Sequence, residues 1–148
     1  MHITRETDYA VRCVLYLAGA SDSVSVVDDI AREMDIPKSF LAKILQKLAK
    51  AGIVKSIRGV KGGFRLSQKP ERINLLRIIE TTQGQLSLNV CVLDKKSCSR
   101  SSTCSVHPVW VRIQDIIEKE LKRHTFSVFL KRGPAGGKKA PHEPSSEA

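Results

Sequence analysis

Residues 36–67 decide the fold, and they read IPKSFLAKILQKLAKAGIVKSIRGVKGGFRLS. Pro37 suits the first turn of a helix, where its missing N–H costs nothing, and Gly52 is a natural helix end. Between them, apolar residues recur at the three- and four-residue spacing of one buried helix face. That apolar set is Leu41, Ile44, Leu45 and Leu48. Residues 37–51 are therefore predicted to form a helix.

The hydrophobic period changes after Gly52. Segments 53–57 (IVKSI) and 64–67 (FRLS) are short and strand-like, and the basic loop RGVKGG separates them. Gly62 and Gly63 permit a sharp turn and a close approach of the backbone to a phosphate or a groove. A plain surface hairpin is the alternative to a DNA-binding wing. Because the hairpin directly follows a basic helix, the wing is the favoured interpretation.

Two further helices are predicted on the N-terminal side. The segment VVDDIAREM, residues 26–34, follows a start that resembles a capping box, with Ser25 and Asp28 as the pair. The turn DIP joins this helix to the basic one, and such a pair is typical of a helix-turn-helix. The first helix is predicted over residues 4–18, with Cys13 as a small core residue.

Positive charge is concentrated in the same region. The chain has a formal net charge of +10, and residues 36–72 hold ten Lys or Arg against the single acid Glu71. A solvated surface needs no such segregation, whereas a face that binds a polyanion does. Double-stranded DNA is therefore the expected partner, with Arg58 suited to a narrow minor groove. The predicted DNA contacts are Lys38, Ser39, Phe40, Lys43, Arg58 and Lys61.

A second stretch, CVLDKKSCSRSSTCSVH at residues 91–107, holds three of the four cysteines and His107. The chain has neither an apolar run of the roughly 18 residues that suggest a membrane span nor a secretory signal, so a cytoplasmic protein with reduced thiols is expected. Grouped cysteines in that setting usually bind metal or undergo redox chemistry. Their gaps of six and five residues are wider than zinc sites favour. Iron–sulfur clusters accept uneven spacing, but spacing alone leaves a cluster, zinc and a disulfide switch open.

A long amphipathic helix is predicted from Cys104 to about Lys122. A stripe of apolar residues follows it at three- and four-residue spacing, and either its own domain or a second copy must cover that stripe. The stripe is Val106, Val109, Trp110, Ile113, Ile116, Ile117 and Leu121. Little other core exists after residue 90, which favours a homodimer seam.

The expected fold is mainly α with a small β-hairpin, a winged helix-turn-helix followed by a long dimerisation helix. Three parts are predicted: a DNA-binding domain at 1–83, a cluster-binding loop and dimerisation helix at 84–132, and a disordered tail at 133–148. The sequence shows no nucleophile–base pair, phosphate-binding glycine loop or paired carboxylates. An enzyme is therefore not expected.

The runs TDYAVRCVLYLA (7–18) and 36–67, with the cysteine triplet before a long helix, resemble the Rrf-two family of bacterial transcription regulators. The resemblance covers residues 1 to about 130, and it is to the iron–sulfur members that regulate cluster homeostasis or respond to nitric oxide or iron. It implies a homodimer in which three loop cysteines of each subunit hold a cluster. Those cysteines map to Cys91, Cys98 and Cys104. The cluster is expected to be 2Fe–2S, with 4Fe–4S as the alternative.

The resemblance places two candidates for the fourth ligand in this chain. One branch of the family uses a histidine at the position of His107, and another uses an aspartate at the position of Asp8 on the partner's first helix. We choose His107, because two residues three apart at a helix start, Cys104 and His107, would project to one face. Asp8 is otherwise expected to form a surface pair with Arg12.

The expected function is that of a DNA-binding repressor whose operator affinity is switched by an iron–sulfur cluster sensing iron, redox or nitric oxide status. The alternative is a zinc- or disulfide-stabilised winged-helix regulator without a cluster.

Overall fold

The chain is described over residues 1–132 by a computed structural model, and this part is mainly helical with one two-stranded antiparallel hairpin. The elements are α1 (Arg5–Gly19), α2 (Val27–Met34), α3 (Lys38–Lys50), β1 (Val54–Ile57), β2 (Gly63–Leu66), α4 (Leu75–Gln83), α5 (Val90–Leu93), α6 (His107–Arg123) and α7 (Phe126–Arg132). The predicted fold class is confirmed. The tail predicted to be disordered, 133–148, lies outside the described residues. None of the helices within residues 1–132 is both long and apolar enough to cross a membrane.

The turn between α2 and α3 is built from one left-handed residue. Asp35 follows α2 with φ 55°, and the next amide, that of Ile36, donates to the carbonyl of Ala31 at 2.9 Å. This turn buries Ile36 and starts α3 directly after Pro37. The tight turn predicted from the letters DIP is therefore present, and the helix-turn-helix is confirmed.

The predicted capping box at the start of α2 is wrong. α2 begins at Val27, and its N-cap residue Val26 makes no side-chain hydrogen bond. Ser25 is instead used through its backbone, because its N–H donates to the carbonyl of Phe64 and its carbonyl accepts from the N–H of Phe64, both at 2.8 Å. Tertiary pairing with the hairpin has replaced a local cap.

The hairpin depends on two glycines that the backbone crowds. β1 and β2 pair in the register Val54↔Leu66 to Ile57↔Gly63. A Cβ at Gly62 would collide with the carbonyl of Ile57, and one at Gly63 would collide with the carbonyl of Ser25. The predicted wing is therefore held against the segment before α2 by a contact that only glycine allows.

One apolar core joins the N-terminal helices to the last helix. Cys13 and Leu17 of α1, Ile44 and Leu48 of α3, and Phe126 of α7 all belong to it, each with at most 1% of its surface exposed. The amide of Phe126 also donates to the carbonyl of Ile73, and the two segments form an isolated bridge at Asn74↔Thr125. The chain thus returns to the helices of its N-terminal half after the long helix α6.

A smaller apolar cluster fixes α6 along α4. Leu76 and Ile79 of α4 and Leu86 of the following segment are buried there, and Ile117 and Leu121 of α6 pack against them. One side of the apolar stripe of α6 is therefore covered by its own chain.

The region between α4 and α6 differs in two ways from its prediction. It was expected to be loop from residue 84 to Cys104, but Cys91 lies in the single-turn helix α5. The long helix begins at His107 rather than at Cys104. Pro108 at the second position of α6 fits this start, because a helix leaves its first N–H groups unpaired.

We expect Gly63→Ala to destabilise the protein, with Gly19→Ala as its matched control. The added methyl at residue 63 must displace the Ser25 carbonyl, which should lower the free energy of unfolding by about 1–3 kcal/mol. A methyl at residue 19, inside α1, meets only the tip of Leu130 at 3.8 Å and should leave stability within about 1 kcal/mol of the parent or raise it. Urea unfolding measures both. Equal stability of the two variants would contradict the crowded wing contact.

Candidate nucleic-acid interface and cysteine loop

The exposed face of α3 carries the residues predicted to contact DNA. Because Leu41, Ile44 and Leu48 are buried in the core, the opposite side of the helix faces solvent. Lys38, Ser39, Phe40 and Lys43 are all exposed there. The structure therefore brings the four predicted helix contacts onto one open surface.

Phe40 is the unusual member of this face. Its side chain is 52% exposed, and its ring meets that of Tyr9 edge-on at 6.2 Å between centroids. A half-open aromatic ring beside lysines is suited to apolar contact with a thymine methyl, which is one of the contacts that read the major groove.

The lysines of α3 differ in how strongly the protein itself holds them. Lys38 forms an ion pair with Asp28 at 2.5 Å, but both side chains are about two-thirds exposed. Such exposed pairs contribute little, so phosphate can replace Asp28. Lys47 instead meets Glu6 at 2.6 Å and lies 3.4 Å from the carbonyl of Thr82. Lys47 therefore links α3 to α1 and α4, while 45% of its side chain stays exposed.

The wing tip presents two cations that the described residues leave without a carboxylate partner. Arg58 and Lys61 are exposed, and no Asp or Glu in residues 1–132 lies within ion-pair distance of either. Val60 between them is fully exposed at the turn. This geometry suits a groove-inserted guanidinium, since no carboxylate in the described part of the chain pairs with the Arg58 side chain.

The three cysteines of the loop are free thiols in different surroundings. Cys91 and Cys104 are half-buried, and Cys98 is exposed. Across the described range, 1–132, no three His, Cys, Asp or Glu side chains stand close enough together to hold a metal ion. The structure thus places the predicted ligands on one segment without gathering them around one point.

Among residues 1–132, the buried side-chain polar atoms without a hydrogen-bond partner belong to Ser101 and His107. His107 is only 8% exposed, and both of its ring nitrogens are in this group. Buried polar atoms are paired in the great majority of cases, so such a group is a candidate to bind a ligand. His107 lines an open pocket of about 390 Å³ together with Cys98, Ser101 and Lys95. A thiol and an imidazole that the sequence places nine residues apart therefore share one pocket.

The geometric reason given for His107 from the sequence is wrong. Cys104 lies before the helix and does not line the pocket that His107 lines. The pairing of Cys104 and His107 on one helical turn is therefore absent, and His107 stands as a candidate on its burial alone.

Asp8 has a partner in its own chain. Its carboxylate meets Arg12 at 2.6 Å, and the Arg12 guanidinium lies 5.5 Å from the ring centre of Tyr9. Asp8 is half exposed and lines a different pocket from the one that holds Cys98 and His107. The expected surface pair is thus present. Of the two candidates for the fourth ligand, Asp8 already has an ionic partner, whereas His107 has no partner among the described residues.

Gln114 is a functional candidate that the sequence reading missed. It is 5% exposed, and its amide nitrogen donates to the carbonyl of Leu86 at 2.7 Å and to Glu118 at 2.8 Å. Its side-chain oxygen accepts from the amide of Leu88 at 2.9 Å. Gln114 therefore fastens the segment entering the cysteine loop to α6. The signal in the sequence that could have identified Gln114 is that it is a polar residue within the apolar stripe of α6.

Cys13 is separated from the loop cysteines in chemistry as well as in position. It has no exposed surface, and burial raises the pKa of its thiol from 9.0 to about 12. A thiol with that pKa holds almost no thiolate at neutral pH, and thiolate is the reactive form. This placement agrees with the core role expected for Cys13.

We therefore expect a clear split in alkylation. Iodoacetamide added to metal-free, reduced protein at pH 8 should modify Cys91, Cys98 and Cys104, while Cys13 should react only after denaturant is added. Intact-mass and peptide mass spectrometry count the adducts. Native labelling of Cys13 at the rate of Cys98 would contradict its burial.

Comparisons with known proteins point to one family. The sequence model of the Rrf2 (Rrf-two) family, described as an iron-dependent transcriptional regulator, matches residues 3–132. The chain is similar to the HTH-type transcriptional regulator NsrR of Bacillus licheniformis, at 36% identity over 111 residues, 74% of this chain and 78% of that protein. It also resembles the solved structure of T. potens IscR, with a TM-score of 0.69 and 26% identity over 95% of this chain and 94% of that one.

A third similarity bears on the fold alone. The solved structure of CymR, the global cysteine regulator of B. subtilis, has a TM-score of 0.74 over 90% of this chain and 99% of that one, at 24% identity. The same architecture thus occurs in a protein described as a regulator of cysteine rather than of iron.

Proposed function

The chain belongs to the Rrf2 family of transcriptional regulators, and from that membership we propose that it is a repressor whose operator affinity depends on an iron–sulfur cluster held by the cysteine loop. The observation that carries the proposal is the buried imidazole of His107, whose two nitrogens have no hydrogen-bond partner within residues 1–132 and which shares a pocket with the exposed thiol of Cys98. An exposed basic face on α3 and the wing supplies the DNA-binding side.

The DNA contacts divide between two grooves. α3 enters the major groove, where Lys38, Ser39 and Lys43 meet base edges or phosphates and Phe40 meets thymine methyls. Arg58 and Lys61 of the wing reach the adjacent minor groove, whose negative potential is highest where it is narrow. Both elements are held by the same core, so their relative position is set by the fold.

The donor set fits an iron–sulfur cluster. Cys91, Cys98 and Cys104 supply three soft thiolates, and His107 supplies a fourth, weaker donor that is already desolvated and unpaired. When bound, a 2Fe–2S cluster supplies a centre that can change oxidation state, react or be lost. The residues 91–106 contain no fully buried side chain that would hold the segment by packing. Order in this segment therefore depends on what its thiolates bind.

A physical route runs from the loop to the recognition helix. Gln114 of α6 ties down the segment that enters the cysteine loop, through Leu86 and Leu88, and Ile117 packs α6 against α4. The carbonyl of Thr82 in α4 then accepts from Lys47 of α3. Loss of order in the loop releases one end of this chain of contacts, which biases how two recognition helices are presented to DNA.

The uncovered side of α6 fits a second copy of the chain. Val109 and Ile116 are more than half exposed, and Trp110, near the start of α6, is 38% exposed and outside the apolar cluster that packs on α4. Val90 and Leu93 of α5 add exposed apolar surface. We propose that two α6 helices pack through this face, and such a dimer places two recognition helices for half-sites about one helical turn apart.

Arg58→Ala should weaken binding of a promoter duplex by about 1–3 kcal/mol without changing the fold, because the wing guanidinium inserts into a groove. Lys119→Ala is the control, since Lys119 lies on α6 and only meets Asp115. Fluorescence anisotropy at fixed salt measures both affinities. If both variants lose affinity equally, Arg58 contributes only net charge.

Trp110→Asp should produce monomers and abolish tight operator binding, because a buried unpaired carboxylate opposes packing of the two apolar faces. Lys122→Asp, which helical spacing places off this face, should remain dimeric. Analytical ultracentrifugation reports the masses. A dimeric Trp110→Asp protein would place the seam elsewhere.

Serine at Cys91, Cys98 or Cys104 should bleach the visible spectrum of anaerobically purified protein, and Cys13→Ser should leave it unchanged. His107→Ala should shift the spectrum and make the cluster labile, while Asp8→Ala should only break the pair with Arg12. Iron and sulfide counts accompany each spectrum. Colourless protein containing zinc, or a disulfide in its non-reduced mass, supports the alternative regulator without a cluster. Loss of colour in Asp8→Ala alone reverses the choice of fourth ligand.

A further inference from the structure

A basic feature that the proposed DNA contacts do not include lies at the base of the wing, away from its tip. A pocket of about 490 Å³ opens between the end of α1, the hairpin and α7, and we call it the basic pocket. Lys55, Arg65 and Lys69 line it, with Asp22, Ser21 and Ser67 also in its wall. None of the six residues proposed to contact DNA is among its lining residues.

Two cations of the basic pocket are opposed across the hairpin, and no carboxylate among the described residues pairs with any of the three. Lys55 and Arg65 are directly opposed across the hairpin, and like charges in that relation destabilise a strand pair. No salt bridge in the stretch 1–132 involves Lys55, Arg65 or Lys69. Arg65 is also half-buried, so part of its hydration is lost. An anion between the two side chains would offset both costs.

The wall of the basic pocket is held in place before anything binds. The side-chain NH₂ of Gln68 donates to the carbonyl of Gly52 at 3.2 Å, and the side-chain oxygen of Gln68 accepts from the guanidinium of Arg77 at 2.8 Å. The backbone N–H of Ser67 donates to the carbonyl of Ile53 at 2.9 Å. These bonds fix the turn that carries Ser67 and Lys69, and a site that is already ordered loses less entropy on binding.

Charge and size together identify the ligand class. Three cations against the single carboxylate of Asp22 leave an excess of two positive charges in the wall, which matches a phosphate group of roughly −1.5 to −2 at pH 7. Arginine and lysine are the side chains that bind phosphate most often. The volume also exceeds what one phosphate fills, and Asp22 and the serines suit hydroxyl groups beside it.

We propose that the basic pocket binds a small phosphate-bearing molecule, separately from DNA. Such a ligand bridges the hairpin to α1 and α7, and it relieves the repulsion between Lys55 and Arg65. This inference does not depend on the cysteine loop. It can be correct or incorrect independently of the proposed function.

Calorimetric titration of the full-length protein with inorganic phosphate and with ribose 5-phosphate tests the proposal. Ionic strength is held constant with chloride. Saturable binding is expected for the parent protein, and Arg65→Gln should weaken it at least tenfold. Arg72→Gln, which removes the same charge from an exposed residue just outside the pocket, should bind like the parent. Lys69→Gln gives a second variant on the turn if Arg65→Gln does not fold.

Duplex affinity measured on the same variants separates this pocket from the DNA interface. Arg65→Gln should retain promoter affinity within about threefold of Arg72→Gln, whereas Arg58→Ala should not. Absence of saturable phosphate binding in the parent, or equal binding by Arg65→Gln and Arg72→Gln, overturns the proposal. Loss of duplex affinity in Arg65→Gln comparable to that in Arg58→Ala also overturns it, because the pocket would then be a contact for the DNA backbone.

Discussion

Burial of Phe126 is the constraint on which the arrangement of the long helix depends. The ring has no exposed surface, and it packs in the core that α1 and α3 build. Its backbone amide and the Asn74↔Thr125 bridge hold the end of α6 to the segment before α4. The other end of α6 begins at His107, beside the cysteine loop. The helix α6 is therefore anchored to the DNA-binding core at its C-terminal end and directly follows the cysteine loop at its N-terminal end.

The helix α3 likewise has two roles. Its buried side supplies Ile44 and Leu48 to the core, and its open side supplies the basic face. Lys47 belongs to neither group, since it reaches Glu6 and the carbonyl of Thr82 inside the chain. A recognition helix held through α4 in this way can respond to what happens along α6. In the proposed switch, a change along α6 reaches α3 through α4, and the core does not need a large rearrangement.

The sequence was most informative where structure is local. Helix periodicity around Leu41 and Leu48 and the glycines of the wing predicted the helix-turn-helix and hairpin, because each signal lies within a few residues of its effect. The prediction of a capping box at Ser25 was wrong because the backbone of Ser25 forms hydrogen bonds with that of Phe64, 39 positions away in the chain. Gln114 was missed for a similar reason, since its partners Leu86 and Leu88 are brought to it only by the packing of α6 on α4.

The site shows the same division. Residue chemistry and family resemblance named Cys91, Cys98, Cys104 and His107, but the start of α6 could not be read accurately from an apolar stripe that continues across it. Burial of His107 without a partner is a tertiary property, and it now supports the choice of ligand for a different reason from the one the spacing suggested.

Control of DNA binding by the cysteine loop is tested most directly by the affinity of the protein for one promoter duplex in two states, measured at the same salt concentration under anaerobic conditions. One sample is reconstituted with iron and sulfide, and the other is the metal-free dimer with reduced thiols. We expect the two dissociation constants to differ at least tenfold, about 1.4 kcal/mol, and the difference to disappear in Cys98→Ser. Equal affinities of the two parent samples would contradict the claim that the cysteine loop controls DNA binding.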